Sequence, residues 1–277
     1  MKKSYAIVIA VVAVAIVLGL MIGLGMKGLV SLGAGNIGVI EIEQMITSAK
    51  NTVKDLKSFR EDPSIKAVII RVDSPGGGVA ASQEIYTEIK KLADVKTVVV
   101  SMGAVAASGG YYVSLPAQVI VANPGTLTGS IGTIIEITIL EELLKKLGIG
   151  YEVIKSREYK DIGSPFRKMS DQERKLLKDV IMNIFDQFVE VVVENRALTK
   201  DSVLKLADGR IMSGKQAKDA GLIDTLGSFE DAVKLAGDLV GIEKPNLVYP
   251  PKRLSFIDLL IRPVETLLSA RVYYLWR

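Results

Sequence analysis

The chain reads as an α/β protein. From Ile37 onward, short apolar runs rich in Val and Ile alternate with amphipathic helical stretches, and glycine or proline closes several of the runs. The runs lack the in–out alternation of a half-exposed sheet, as expected when helices cover both faces of parallel strands. Regular strand–helix alternation then implies crossover connections. With 277 residues, 49% of them hydrophobic, the chain can bury a substantial core.

The elements follow in order. Residues 1–4 carry Lys2 and Lys3. Residues 5–26 are uncharged, long enough at about 1.5 Å per residue to span a hydrocarbon core. They are expected to be a transmembrane anchor, with residues 1–4 cytoplasmic and the bulk of the chain extracytoplasmic by the positive-inside tendency. A cleaved signal peptide is the competing reading. Its apolar region is typically about 7–15 residues, and this run is longer, although small residues follow at Ser31–Gly35. Residues 27–36 are glycine-rich and read as a linker.

Residues 37–241 form the main domain. Strands are expected at Ile37–Ile42, Ala67–Val72, Thr97–Met102 and Val119–Ala122. Helices are expected from about Ile46 to Arg60, Ala80 to Ala93 and Ala104 to Leu115. Ser170-Asp171-Gln172-Glu173 has the pattern of a capping box and opens a long helix to about Ala197, with shorter helices to about Gly241. Residues 242–277 are a tail, apolar from Leu254 with Arg262, Arg271 and Arg277 spaced along it. A subunit contact suits it better than a membrane-surface helix, because its cations are few.

Composition narrows the chemistry. Lys and Arg number 35 against 31 acids, mixed along the chain, so nothing resembles a nucleic-acid footprint. Cys and His are both absent. That removes disulfides, thiol nucleophiles, imidazole-based zinc sites and Ser–His–Asp catalysis. A hydroxyl nucleophile would need Lys, a carboxylate or an N-terminal amine as base, and the N-terminus here adjoins the apolar run.

Four segments could carry chemistry. Gly103-Ala104-Val105-Ala106-Ala107-Ser108-Gly109-Gly110-Tyr111-Tyr112 sets one serine among small residues that let a substrate backbone approach. Free N–H groups at such a strand–helix junction suit an oxyanion, although tight helix packing alone would also explain the small residues. Asp73-Ser74-Pro75-Gly76-Gly77-Gly78 ends a strand, where ligands gather in α/β sheets, and is otherwise an ordinary turn. No Gly-Lys-Ser/Thr follows, which argues against a phosphate loop. Thr126-Leu127-Thr128-Gly129-Ser130-Ile131-Gly132 is a loop of hydroxyls and glycines. Arg157-Glu158-Tyr159-Lys160-Asp161 carries a lysine that is either a solvated charge or, if desolvated, a base.

Together these motifs resemble the signal peptide peptidase A family, Ser–Lys serine peptidases with a fold related to Clp protease and the crotonases, of repeated β-β-α/β-α units. The resemblance covers about Ile37 to Val240 and resides in Asp-Ser-Pro-Gly-Gly, Ala-Ala-Ser-Gly-Gly-Tyr-Tyr, Thr-Gly-Ser-Ile-Gly and Tyr-Lys-Asp with Ser-Pro close behind. It implies Ser108 as nucleophile and Lys160 as general base, Ser130 orienting the lysine amine, and the backbone N–H groups of Gly109 and Gly77 as oxyanion hole. It implies no metal or organic cofactor, peptide substrates such as signal-peptide remnants and unfolded chains, and a homo-oligomeric ring whose sites are shared between subunits. Within one chain, Ser108 Oγ and Lys160 Nζ are then expected beyond hydrogen-bond reach. One departure stands after the first strand, where Glu43-Gln44 replaces an expected glycine. Two other readings are a crotonase-type acyl-CoA enzyme, which should carry a paired glutamate in the pocket whereas Gly103–Tyr112 holds no carboxylate, and a non-catalytic membrane scaffold.

Overall fold

The computed structural model describes residues 37–251 and the backbone of residues 272–275. The anchor expected at residues 5–26 lies outside the described residues, as does most of the tail. Among the described residues, no helix is long and apolar enough to cross a membrane.

Strands β1 (Ile37–Glu43), β2 (Ala67–Ser74), β4 (Thr97–Ala107) and β5 (Val119–Ala122) form the centre of a parallel sheet, flanked by β9 (Thr225–Leu226) and β10 (Leu247–Val248) in the order β10-β1-β2-β4-β5-β9. Successive residues of each strand face opposite sides. Ile40, Ile70 and Val100 join one core, packed by helices α1 (Lys50–Glu61), α2 (Val79–Ala93), α3 (Gly109–Ser114) and α5 (Asp171–Asn195). Val39, Ile69 and Val99 join another, closed by Ala232, Val233 and Ala236 of α8 (Phe229–Val240). Both faces are covered along the first halves of β1 and β2, which carry no polar alternation, whereas Glu41 and Glu43 of β1 alternate outward beyond them. The α/β class read from the sequence is the one found.

Two segments differ from expectation. Ala104–Ala107 does not begin a helix but extends β4 to eleven residues. Beyond Met102, β4 exchanges β5 for a new neighbour, β6 (Leu127–Gly129), with Ala107 opposite Gly129. The alanines favour helix locally, and the fresh pairing edge overrides that preference. Helix α1 begins at Lys50 rather than Ile46. Ile46 is buried and its backbone braces the three-residue strand β3 (Gly76–Gly78), accepting from Gly78 N at 2.8 Å and donating to Gly76 O at 2.8 Å.

The remaining elements are β7 (Ile134–Ile135), α4 (Glu141–Lys146), α6 (Lys200–Leu206), β8 (Ile211–Ser213), α7 (Gly214–Asp219) and β11 (Val272–Leu275). Ser170 caps α5 in the expected box: its Oγ accepts from Glu173 N, and the Glu173 carboxylate accepts from Ser170 N. Part of the tail, β11, is a strand of this same chain's second sheet, antiparallel to both β3 and β7.

Candidate active site

Ser108 stands where β4 ends and α3 begins. Its φ of 54° and ψ of −116° place a non-glycine residue in a sparsely populated region, a strain of about 1–3 kcal/mol that the surroundings must hold. They do so from several sides. The Ser108 N–H donates to Gly129 O at 2.9 Å, and the Ser108 carbonyl accepts from Tyr112 N at 2.8 Å. The Tyr111 hydroxyl reaches Leu222 O at 2.9 Å, and the Tyr112 ring packs between Tyr86 and Phe188. Burial pushes the Tyr112 phenol up to about 12, so it stays neutral through the working range. The paired tyrosines after Gly110 thus anchor the short helix behind the serine. Ser108 is 1% exposed, and its Oγ has no hydrogen-bond partner among the described residues. A buried, unpaired hydroxyl at a strained strand–helix turn resembles a nucleophile elbow.

Glycines crowd against it. A Cβ on Gly109 would lie 2.7 Å from Ser82 Oγ, 3.1 Å from Gly76 Cα and 3.2 Å from Gly77 N. A Cβ on Gly77 would lie 2.2 Å from Ile46 O. The two expected oxyanion donors are therefore neighbours, and neither position has room for a side chain. The strand end that carries them is fixed by Ser74, whose buried hydroxyl donates to Gln44 O and accepts from Gly76 N at 3.1 Å. Gln44 takes a φ of 58°. The turn after β1 thus holds a left-handed residue, a conformation in which glycine would be at no steric cost.

The β4–β6 register puts Ser130 in the row beside Ser108, each following one member of the Ala107–Gly129 pair. Ser130 has a φ of 50° and is 6% exposed. Its N–H donates to Arg210 O at 2.8 Å. It opens onto a cleft of about 580 Å³ lined by Gly132, Ile134, Met182, Phe185 and Gly209.

Lys160 sits elsewhere, in a 3₁₀ turn over Glu158–Asp161. Its side chain is exposed, and no hydrogen bond joins it to Ser108 within the chain. Beside it Asp161 is held well below the usual carboxylate range, first by the Arg167 guanidinium and then by Lys155. Arg167 also brings Glu173 down to about 2, with help from the Ser170 N–H. The structure thus groups Ser108, Ser130, Gly77 and Gly109, and within the chain Lys160 makes no hydrogen bond to the Ser108 hydroxyl. Among the described residues no cluster of acids is placed to hold a metal ion.

The model of peptidase family S49 matches residues 90–243, a span that includes Ser108, Ser130 and Lys160. The chain belongs to peptidase family S49. A candidate protease of Synechocystis sp. is 44% identical over 209 residues, 75% of each chain. A candidate protease of Methanocaldococcus jannaschii is 41% identical over 74% of this chain and 66% of its own. A chloroplastic serine protease, SPPA of Arabidopsis thaliana, is 38% identical over 68% of this chain but only 28% of its own length. Among solved structures, a ClpP1 mutant of Listeria monocytogenes aligns at 19% identity with a TM-score of 0.49, over 70% of this chain and 93% of that one. The S49 assignment makes the protein a protease and leaves the chemistry of its site to be argued from its residues.

Sequence reading missed the residues that hold the site. Tyr111 and Ser74 bind backbone carbonyls distant in the chain, the Tyr112 ring packs on Tyr86 and Phe188, and Arg167 joins carboxylates six residues away on either side. Only the box at Ser170–Glu173 had a local signature, and that signature led to one of Arg167's partners.

Proposed function

We propose that this S49 protein is a membrane-anchored serine endopeptidase that cuts signal-peptide remnants and other apolar or unfolded chains with a Ser108–Lys160 dyad. The observation that carries the reading is the buried, unpartnered Ser108 Oγ at a strained turn, beside Gly77 and Gly109.

Neutral Lys160 takes the Ser108 proton as Oγ attacks the scissile carbonyl. The oxyanion is met by the N–H groups of Gly109 and Gly77. The lysinium then protonates the leaving amine, and water, deprotonated by the lysine, hydrolyses the ester. Ser130 orients the amine. Because the Lys160 amine is exposed and unbonded to Ser108 in its own chain, it serves a neighbouring copy in a ring. Substrate lies extended along β3 in the place that β11 takes in this chain, antiparallel to Gly76–Gly78. Residues 5–26 tether the domain to the outer side of the cell membrane.

The test uses the full chain in detergent with an unstructured peptide. Ser108→Ala and Lys160→Ala are each expected to be inactive. Coexpression of the two should restore turnover, since mixed rings contain sites with both groups intact. Full activity in either single variant removes that residue from the mechanism. No recovery in verified mixed assemblies overturns the shared site. Wild-type turnover should increase toward alkaline pH, where a lysine base is neutral, and a maximum near pH 5 contradicts it.

A further inference from the structure

The turn that carries Lys160 is built on short-range backbone bonds: Lys160 N to Arg157 O, Ile162 N to Tyr159 O and Ser164 N to Asp161 O. Such a turn, left to itself, would not hold a long side chain to a fixed place. Its firm attachment is through side chains. The Asp161 carboxylate, 9% exposed, accepts from Arg167 Nε at 2.7 Å, Arg167 Nη2 at 2.8 Å and Lys155 Nζ at 2.6 Å. The same guanidinium spans to Glu173, with Nη1 donating to Oε2 at 2.8 Å and Nη2 donating to Oε1. Glu173 is 4% exposed and belongs to the first turn of α5. Two cations face two carboxylates, so the cluster is neutral.

An isolated surface pair would contribute little. Here the planar fork of Arg167 engages two carboxylates that solvent scarcely reaches, which fixes direction as well as distance. Further along α5, Phe188 meets the Tyr112 ring edge-on at 5.0 Å. Tyr112 is also the residue whose N–H holds the Ser108 carbonyl. A continuous path therefore runs from the Lys160 turn through Asp161, Arg167, Glu173 and α5 to the elbow of the same subunit.

We propose that Arg167 is a positioning residue, clamping the Lys160 turn to the start of α5 so that the amine meets Ser108 at a fixed place. The proposal rests on Lys160 being the base. It gives the guanidinium a task that charge alone cannot perform, since a lysine at 167 would keep the charge and lose the fork.

The experiment measures kcat per active site, titrated with a fluorophosphonate, together with KM and the thermal midpoint, on the full chain in detergent. For Arg167→Ala, kcat per site should fall roughly 10–100-fold, with KM within about twofold of wild type. Arg167→Lys should fall between the two. Arg167→Ala also leaves Glu173 buried without its cation, which can lower the midpoint for a purely structural reason. Adding Glu173→Gln removes that stranded charge and keeps a residue able to complete the capping box. In the double variant the midpoint should recover while kcat stays low. Recovery of kcat alongside the midpoint, or an unchanged kcat in Arg167→Ala, overturns the positioning role. Near-normal turnover in Lys160→Ala overturns the base assignment, and this proposal with it, whatever Arg167→Ala does.

Discussion

The Ser108 elbow and the Lys160 turn are held by opposite means. Ser108 is enclosed: backbone bonds to Gly129 and Tyr112, aromatic packing behind it and glycines in front leave its strained geometry no alternative. Lys160 is exposed on a turn fastened by ions. A nucleophile approached by substrate backbone needs a fixed environment from its own fold. In the proposed mechanism the base is delivered across a subunit boundary and must project, so only its root can be fixed. The two halves of that reaction would then be secured by packing in one case and by charge in the other.

The largest effect that could break this comparison is on turnover. Ser108→Ala is expected to lower kcat by roughly 10⁴–10⁶-fold. Its thermal midpoint should be equal to or above wild type, because an unpaired buried hydroxyl is removed. A clear fall in the midpoint would mean that Ser108 Oγ has a structural partner. Gly109→Ala comes next. Its Cβ would press on Ser82 and Gly76, displacing an oxyanion donor, and a loss of about 10²–10³-fold in kcat is expected. Overpacking adds about 1–3 kcal/mol of destabilisation, measurable by denaturant unfolding. Wild-type kinetics in this variant would remove Gly109 from the oxyanion hole.

The smallest effect sharpens the ionic half. Glu173 titrates near 4.5 when unfolded and about 2 when folded. A depressed carboxylate stabilises the fold fully above the unfolded value, and that contribution is lost as pH falls through the folded one. The difference in midpoint between wild type and Glu173→Gln should therefore be level from pH 8 to about 5 and close toward pH 2. A gap that instead closes on raising the pH from 5 to 8 would contradict the assignment.

The division also explains what the sequence made legible. Strands β1, β2 and β5 were readable because a run such as Ala67–Ile70 is apolar on both faces, a local property. The serine and its glycines were readable as a cluster of small residues at a strand end. The extension of β4 through Ala107 was not, because the alanines of Ala104–Ala107 favour helix locally and the pairing with β6 that overrides them is a long-range event. Gly76–Gly78 read as a turn, since nothing local announces that Ile46 and β11 will pair with it. Arg167 gave no signal at all: its worth depends on a loop bringing Asp161 and Glu173 to one guanidinium.

One pairing described above bears on how the domain comes to exist. β1 is flanked on its outer side by β10, with Ile37 opposite Leu247. During synthesis the first strand emerges long before the last, and for that interval its outer edge offers unpaired amide and carbonyl groups to any passing strand. Closure between such distant residues is entropically slow. The sheet is therefore most vulnerable to aggregation while it is being made, before β10 arrives to cover that edge.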